Sequence, residues 1–521
     1  MRRLTAALLA LLLLAGCRSQ GEIEQEELDW GAYQEELPEE EPGQEPSPYR
    51  PSAFTLAYHK DHTLDPITCG EGIQQDVAAL LYEPLFRLNP AFEPEPVLCE
   101  SWEWDESGLI CTLTLRQDAL FQGGASLTAK DVAETLQRAA ASERYAYRLR
   151  NVSSVAANRA GQVVITLLEP NWSLPALLDI PIVKSGTADQ LVPVGTGPYL
   201  FVSENGAEYL AADPGWWQQK KLPVEKISLI HAKDRATAMY LFSSHRAELL
   251  TVDPTDDLTA VAGQYETVYQ PTTVLQFIGF NAAKGVFASA EVRSAFSRAI
   301  PRQTLAEVQM AGLGTAAQFP ISPLSPLYPA ALETVYNRDE SLAALAALAV
   351  PPAETEEAGE AESPSSLVLL VNEEDAFRMT SARFIADSLS PAGSWKIEVR
   401  ALPWEEYLTA LAEGAFDLYF GEVRLTADWD LRDLLGTGGP VNYGGYSDET
   451  TDALLQGFAT GVDREGNVRM LASRLLEEAP IAPVCFKNYT VLTHPGVVEG
   501  LSPAPSWTFY QLELWNIHLS E

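Results

Sequence analysis

The segment from Phe420 to Asp430 carries two opposite charges two residues apart, Glu422 and Arg424. If Val423 and Leu425 face inward from a strand, the two charged side chains share the opposite face, because side chains alternate along a strand. A carboxylate and a guanidinium on one face can bind the ammonium and the carboxylate of a zwitterion. The alternative is that the two side chains pair with each other or with neighbouring residues, and the sequence leaves both interpretations open.

The sequence motifs of common hydrolases are missing. The chain has no Gly-x-Ser-x-Gly, no His-Glu-x-x-His, and no Ser-x-x-Lys with its usual partners. Two carboxylates for glycoside cleavage stay open in so acidic a chain, although no particular pair stands out. His59 and His62 are the only closely spaced histidines, and one such pair does not make a metal site. We therefore predict a protein that is not an enzyme, uses no cofactor and binds no metal.

The amino terminus has the pattern of an exported lipoprotein. Met1-Arg2-Arg3 is followed by an apolar run from Leu4 to Ala15, which is too short for a permanent transmembrane helix. The run ends Leu14-Ala15-Gly16-Cys17, which resembles the bacterial lipobox, where the cysteine thiol is diacylglycerated. We predict a signal peptide over residues 1–17 and a lipid on Cys17 that anchors the protein to the outer face of the cell membrane. An ordinary secreted protein is the alternative.

An acidic spacer follows Cys17. Residues 18–50 contain eleven acidic and two basic residues with several prolines, which predicts a disordered linker. A second acidic stretch, Pro351 to Pro364, predicts an exposed loop. No later stretch approaches 18 uninterrupted apolar residues, so we expect no transmembrane helix in the mature chain.

Charge and length limit the classes of partner and of fold. The net charge of −37 repels nucleic acid and anionic lipid surfaces, and we exclude both as partners. About 470 residues follow the linker, which is too many for one ordinary domain and predicts two or more lobes. Cys69, Cys99, Cys111 and Cys485 fit no zinc spacing. Cys99 and Cys111 flank a hairpin turn, where they either form a disulfide or pack as small apolar side chains.

Strands and helices are mixed along the folded part, which predicts an α/β class, or α+β with mixed sheets. Thr128 followed by Asp131 predicts the start of a helix whose buried face carries Val132, Leu136 and Ala139. Other elements follow from alternation, from helical spacing and from element order. They are strands at Phe54–Tyr58 and Cys111–Arg116, a helix over Val292–Ile300, and a strand–helix–strand unit with parallel pairing at Trp395–Leu402, Trp404–Leu411 and Phe416–Phe420.

A series of short phrases occurs in the order typical of one family. The phrases include Thr63-Leu64-Asp65-Pro66, Leu81-Tyr82-Glu83-Pro84-Leu85-Phe86, Phe121-Gln122-Gly123-Gly124, Leu127-Thr128-Ala129-Lys130-Asp131-Val132, Val194-Gly195-Thr196-Gly197-Pro198-Tyr199, Gly279-Phe280-Asn281, Gly439-Pro440-Val441-Asn442-Tyr443 and Glu478-Ala479-Pro480-Ile481-Ala482-Pro483. Together they resemble solute-binding protein family 5, the bacterial extracellular receptors of peptide and nickel ABC importers. The similarity extends over residues 54–515.

The resemblance implies a two-lobed periplasmic-binding-protein type II fold, with a hinge between the lobes and an extra subdomain in lobe I. Lobe I would comprise residues 51–274 and 486–521, and lobe II residues 275–485. The crossovers would lie near Thr273-Val274-Leu275 and Val484-Cys485-Phe486. Members of the family bind a ligand between the lobes, and closure buries it.

The implied function is that of a monomeric receptor, which captures a small peptide or peptide-like solute and delivers it to ABC permease subunits. A lipid-anchored sensor or adhesin without transport is the first alternative, since a fold does not fix a function. A hydrolase is the second. The sequence does not identify the ligand and leaves four classes open: a peptide, a metal complex, a sugar or an amine.

The resemblance also implies where the ligand binds. Peptide receptors of the family hold the ligand ammonium with an aspartate after a Gly-Trp pair, but here Leu425 occupies that position, with Asp428 and Asp430 out of register. The arginine that dipeptide receptors present to the ligand carboxylate is absent from Val371–Asp375, and Arg378 follows it. The predicted ligand-binding residues are Thr68, Cys69, Gly70 and Tyr82 from lobe I, and Glu422, Arg424, Trp429, Asn442 and Tyr443 from lobe II.

Overall fold

The computed structural model describes residues 49–70, 72–253, 261–348, 366–389 and 396–520. The predicted signal peptide, Cys17, nearly all of the acidic linker and the acidic stretch 351–364 lie outside the described residues. Within those ranges, no helix combines the length and the apolar character needed to cross a membrane.

Strands and helices are mixed along the chain, as the sequence predicted. The strands are β1 Phe54–Tyr58, β2 Phe86–Leu88, β3 Pro94–Pro96, β4 Cys99–Trp104, β5 Ile110–Leu115, β6 Val152–Ala157, β7 Val163–Leu167, β8 Tyr199–Glu204, β9 Ala207–Ala212, β10 Lys226–His231, β11 Leu249–Val252, β12 Glu266–Phe280, β13 Gly314–Ala316, β14 Ser366–Asn372, β15 Lys396–Leu402, β16 Leu418–Arg424, β17 Ile481–Thr493, β18 Val498–Glu499 and β19 Asn516–Ile517. The helices are α1 Ile73–Ala79, α2 Ala129–Ala140, α3 Arg235–Ser243, α4 Ala290–Ala299, α5 Arg302–Thr304, α6 Arg338–Ala347, α7 Ala376–Leu389, α8 Trp404–Ala412, α9 Arg432–Leu435, α10 Glu449–Thr460 and α11 Arg464–Glu478.

One mixed sheet of eleven strands runs through both lobes. Its order is β15-β14-β16-β12-β17-β11-β1-β10-β9-β8, and β13 pairs with β17. The antiparallel strands β12 and β17 are 15 and 13 residues long, so each contributes to both lobes. Their register shifts between Pro271 and Leu275, and Leu275 lies opposite Phe486. The two predicted crossovers therefore face each other at this irregularity, while the exact lobe boundaries stay a prediction.

A separate four-stranded sheet, β4-β5-β7-β6, packs against α2 and forms a core of its own within lobe I. The predicted capping box is confirmed: the Thr128 side chain accepts from the Asp131 N–H, and the Asp131 carboxylate accepts from the Thr128 N–H at 2.9 Å. Val132, Leu136 and Ala139 are buried, as predicted.

The four described cysteines are free and buried. The β4–β5 ladder places Cys99 opposite Leu115 and Cys111 opposite Trp104, so the two cysteines of this hairpin are offset along the strands. The disulfide interpretation is therefore wrong, and the alternative of small apolar side chains is confirmed by their place in the core of the subdomain.

In lobe II the predicted helix is confirmed as α4, and the strand–helix–strand unit appears as β15, α8 and β16. The predicted pairing within that unit is wrong, because β14 lies between the two strands and is parallel to both. Leu369 of β14 faces Val399 on one side and Leu418 on the other. The physical reason is burial: most of β14 is buried, whereas β15 alternates between exposed and buried residues and suits the edge of the sheet.

Candidate functional site

A cavity of about 310 Å³ lies between the extra subdomain of lobe I and the segment that follows β16 in lobe II. We name it the interlobe cavity. Its charged residues are three arginines and three carboxylates, so their formal charges cancel. They are Arg148, Arg150 and Glu169 from lobe I and Asp428, Asp430 and Arg432 from lobe II, and the remaining lining residues are Tyr147, Asn151, Leu168, Pro170, Asn171, Leu177, Thr426 and Ala459.

Two loops present the lobe I side of the cavity. The loop after α2 carries Arg148 and Arg150, and the loop after β7 carries Glu169. Asn151 joins them, because its amide nitrogen donates to the Glu169 carbonyl at 2.9 Å and its amide oxygen accepts from the Glu169 N–H at 3.0 Å. Arg148 is held by an ion pair with Asp179, whose side chain is 8% exposed. Hydrogen bonds and an ion pair within lobe I therefore hold the two loops that carry its charges.

Trp429 anchors the lobe II side. Its side chain is 1% exposed and packs against Phe92 of lobe I and Phe486, with ring centroids 5.2 and 5.7 Å away. Its backbone has a left-handed φ of 57°. Asp428 and Asp430 flank this anchor, and both line the cavity. Trp429 thus positions the acidic segment and is covered by protein on all sides.

Polar contacts cross from one lobe to the other around the cavity. Arg150 pairs with Asp430 at 2.9 Å and also with Asp433. Arg432 pairs with Glu169 at 2.5 Å. Asn171 donates to the buried Asp428 carboxylate at 2.8 Å, and the Trp172 indole donates to the Thr460 carbonyl at 3.2 Å. Each of these contacts requires the lobes to be together.

Contacts with arginines lower the pKa of two cavity carboxylates, Glu169 and Asp430. The hydrogen bond from Arg432 lowers the pKa of Glu169 against the opposing effect of burial. Burial alone would raise the pKa of Asp430, but Arg432 and Arg150 lower it below its usual value. The cavity therefore offers both anionic and cationic groups at neutral pH, and a zwitterion could exchange partners with them.

The predicted lobe I contacts lie elsewhere. Thr68 and Gly70 are exposed, and the Thr68 hydroxyl donates to Asp65 at 3.1 Å. Cys69 is 2% exposed, its carbonyl accepts from Arg144, and burial raises the pKa of its thiol. None of the three belongs to the lining of the interlobe cavity.

Tyr82, the fourth predicted contact from lobe I, lies in the core. Its side chain is fully buried, and its hydroxyl donates to the Pro193 carbonyl at 2.9 Å. A Cβ on Gly195 would lie 2.1 Å from the Leu81 carbonyl oxygen and 2.4 Å from the Tyr82 ring. The glycine motif therefore allows close packing onto Tyr82. Trp429 is buried as well, and the ligand contacts predicted for these two residues stay predictions.

Glu422 and Arg424 are both exposed, and each has a partner other than its neighbour. Glu422 accepts from Gln276 at 2.5 Å and lies 3.4 Å from the Lys487 ammonium, which also pairs with Asp253 at 3.1 Å. Arg424 donates to the Tyr489 hydroxyl at 2.9 Å. Burial by itself lowers the pKa of Lys487, but Glu422 and Asp253 raise it above its usual value. These residues form a polar cluster on the crossover strands, outside the cavity lining.

The last two predicted residues lie in a turn of lobe II. The Asn442 amide donates to the Gly436 and Tyr446 carbonyls at 2.9 and 2.8 Å, so it holds the turn. Tyr443 is half-buried against Tyr419. Arg378, the nearest basic residue to the missing arginine, is paired with Asp375 at 2.6 Å in the interior.

The histidine pair lies on the lobe I surface. The His59 and His62 rings are 5.5 Å apart, and His59 Nδ1 is 2.7 Å from the Ala232 carbonyl oxygen. In the described part of the chain, no group of three or more His, Cys, Asp or Glu side chains has an arrangement that could hold a metal ion.

Most residues of the interlobe cavity were not predicted from the sequence. Arg150 and Arg432 are 282 positions apart, and only the fold brings both to the carboxylate of Asp430. The available signal was the repeated spacing of charge, Arg148-x-Arg150 and Asp428-x-Asp430-x-Arg432. Of these, the sequence singled out only Asp428 and Asp430, as acids displaced from the family position.

A model of the bacterial extracellular solute-binding proteins, family 5 (its middle part), matches residues 93–435. The glutathione-binding protein GsiB of Salmonella typhi is 28% identical over 277 residues, which are 50% of this chain and 54% of GsiB. The chain thus spans about half the length of the curated relatives it matches. Two solved structures share the fold across 90% of this chain and all of theirs: HbpA2 of Haemophilus parasuis, with a TM-score of 0.72 at 21% identity, and the ABC transporter substrate-binding protein CtaP of Listeria monocytogenes, with 0.70 at 17%.

Proposed function

Because the chain belongs to family 5 of the bacterial extracellular solute-binding proteins, we propose that it is the receptor of an ABC importer and captures a small peptide-like zwitterion in the interlobe cavity. The family consists of solute-binding proteins rather than enzymes, in agreement with the sequence prediction. The proposal includes delivery of the solute to permease subunits and a lipid anchor on Cys17. The observation that carries it is the cavity itself, where each lobe contributes groups of both charges.

The size of the cavity favours a small solute. Its volume of about 310 Å³ is at the lower end of ligand pockets, which span roughly 300–1,000 Å³. Glutathione, the ligand named for GsiB, is a tripeptide with one ammonium and two carboxylates. Such a ligand can pair with aspartates and arginines from both lobes, and its binding energy then favours the closed form.

The test is calorimetric titration of the full chain with glutathione and with the same peptide after its charged ends are blocked. We expect the charged peptide to bind and the blocked peptide to bind at least tenfold more weakly. Arg150→Gln should weaken binding of the charged peptide, whereas Arg469→Gln, on an exposed helix of lobe II, should not. Equal binding of the charged and blocked peptides would contradict recognition by charge.

The anchor needs a test of its own. Cys17→Ser should move the protein from the membrane fraction to the soluble fraction and abolish labelling by radioactive palmitate. Cys111→Ser, which alters a buried cysteine of lobe I, should leave both unchanged. Palmitate labelling of the Cys17→Ser variant would rule out this anchor without affecting the proposal for the cavity.

A further inference from the structure

A second cavity lies inside lobe II, away from the contact between the lobes. It has room for about 20 Å³ and is lined by α4, the end of α11 and the start of β17. We name it the arginine cavity for Arg298 and Arg302, which line it with Ser294, Ser297, Gln318 and Thr334. A space of this size holds about one water-sized group.

The arginine cavity has no acidic residue in its lining. Arg302 is 9% exposed, and its guanidinium donates to the Pro483 carbonyl at 2.6 Å, to the Ser297 carbonyl at 2.7 Å and to the Ser297 hydroxyl at 2.8 Å. All three acceptors are neutral. Within the described ranges, neither Arg298 nor Arg302 forms an ion pair with a carboxylate. The buried positive charge is therefore only partly compensated.

Neighbouring groups do not remove this imbalance. Burial lowers the pKa of Arg302 to about 10, and Tyr328 and Glu333 offset only part of that effect. Glu333 is exposed and accepts a hydrogen bond from the Tyr328 hydroxyl at 2.5 Å. The positive charge of Arg302 is thus buried without a carboxylate beside it, at a cost that a nearby anion would reduce.

Two other buried arginines of lobe II each lie beside a carboxylate. Arg293 lies 3.3 Å from the Glu478 carboxylate, and Arg378 lies 2.6 Å from that of Asp375. Arg302 departs from this pattern although the chain as a whole carries a net charge of −37. A guanidinium has five N–H groups, and the three bonds to Pro483 and Ser297 leave donors for another acceptor.

We propose that the arginine cavity binds one small monovalent anion of the size of chloride, between Arg302 and Arg298 and beside Ser297. The anion supplies the negative charge that the lining lacks. It binds inside one lobe, so it stabilises lobe II whether or not a solute occupies the interlobe cavity. This site is separate from the proposed transport function.

Chloride is the probe for the test. The full chain is heated in sodium gluconate and in sodium chloride at equal ionic strength, and the ³⁵Cl NMR line width is measured at 25 °C. We expect chloride to raise Tm with the logarithm of its concentration above its Kd, by about 1 °C at a tenfold excess over its Kd for a chain of this size. We also expect the protein to broaden the chloride line.

Two matched variants test whether chloride binds in the arginine cavity. Arg298→Gln alters the exposed arginine of the cavity, so it should fold and should remove most of the broadening and of the chloride-specific Tm rise. Arg469→Gln, which alters an exposed arginine outside the cavity, should keep both. Equal Tm in the two salts, or unchanged broadening in Arg298→Gln, would overturn the proposal and leave the cavity as a water site.

Discussion

The interlobe cavity and the arginine cavity both contain arginines, but the charges of these arginines are balanced in different ways. In the interlobe cavity, Arg150 of lobe I pairs with two aspartates of lobe II, and Arg432 of lobe II pairs with Glu169 of lobe I. In the arginine cavity, Arg302 has only neutral acceptors, all from its own lobe. The first balance depends on contact between the lobes, whereas the second site is complete within lobe II.

This difference separates two kinds of stability. Substitutions in the interlobe cavity should change the balance between open and closed forms, because opening separates the paired charges. Substitutions in the arginine cavity should change the unfolding of lobe II and leave closure alone. The radius of gyration reports closure and the free energy of unfolding reports the fold, so the two measurements distinguish the two cavities.

The largest expected effect is that of Trp429→Ala, which connects the two kinds of stability. The substitution removes a buried indole from its contacts with Phe92 and Phe486, and such truncations cost about 3–5 kcal/mol. We expect the free energy of unfolding to fall by that amount and the radius of gyration to rise. Trp404→Ala is the control because its side chain is 40% exposed, and a loss as large as that of Trp429→Ala would contradict the role of burial.

Arg302→Gln should have the next largest effect, and on folding alone. It leaves buried carbonyl oxygens of Pro483 and Ser297 without their charged donor, at a cost of about 1–3 kcal/mol. Chemical denaturation should show this loss, whereas scattering should show an unchanged radius of gyration. Arg298→Gln, in the same cavity but exposed, should cost less than about 0.5 kcal/mol. An opening of the lobes in Arg302→Gln would break the comparison.

Arg150→Gln should change the closure of the lobes and hardly change the free energy of unfolding. It removes pairs with Asp430 and Asp433 that are partly exposed, and such pairs contribute about 0.2–1 kcal/mol each. We expect a larger radius of gyration with little change in the free energy of unfolding. A double-mutant cycle with Asp433→Asn measures the coupling across the lobes, and additive effects would show that this contact does not hold them together.

The smallest expected effect is that of pH on closure. Arg432 lowers the pKa of Glu169 below its ordinary value of 4.5 when the lobes are in contact. The carboxylate therefore favours closure above about pH 4.5, and this contribution is lost as pH falls through the lowered pKa. Scattering from pH 6 to pH 3.5 should show a rise in the radius of gyration at the acidic end. Glu169→Gln should show a smaller rise, and identical curves would rule out this carboxylate as a cause.

The sequence predicted local structure better than it predicted the site. The Thr128 capping box and the buried face of α2 depend on residues a few positions apart, so both can be predicted from the sequence. The β15–β16 pairing failed because β14, which lies between them, comes earlier in the chain. The ligand contact of Tyr82 stays a prediction, because an aromatic side chain in a family phrase gives no sign of whether it faces a ligand or the core.

The residues of the interlobe cavity show the same limit of prediction from sequence. Asn171 and Asp428 are 257 positions apart, and nothing near either residue indicates the buried hydrogen bond that joins them. Glu422 and Arg424 were correctly placed on an exposed face, but their partners Lys487 and Tyr489 come from another strand. Family resemblance supplied the two lobes, whereas the charges that line the space between them come from segments far apart in the sequence.

Strand β17 has a consequence for the order in which the protein is made. It comprises residues 481–493, it pairs with β11 and β12, and it reaches both lobes. Neither lobe can complete its sheet until more than nine-tenths of the chain has been synthesised, because these contacts join residues far apart in sequence. The long-range structure of both lobes therefore forms only after β17 is available. Truncation before Ile481 would leave both lobes unfinished, with the edge of β12 exposed to aggregation.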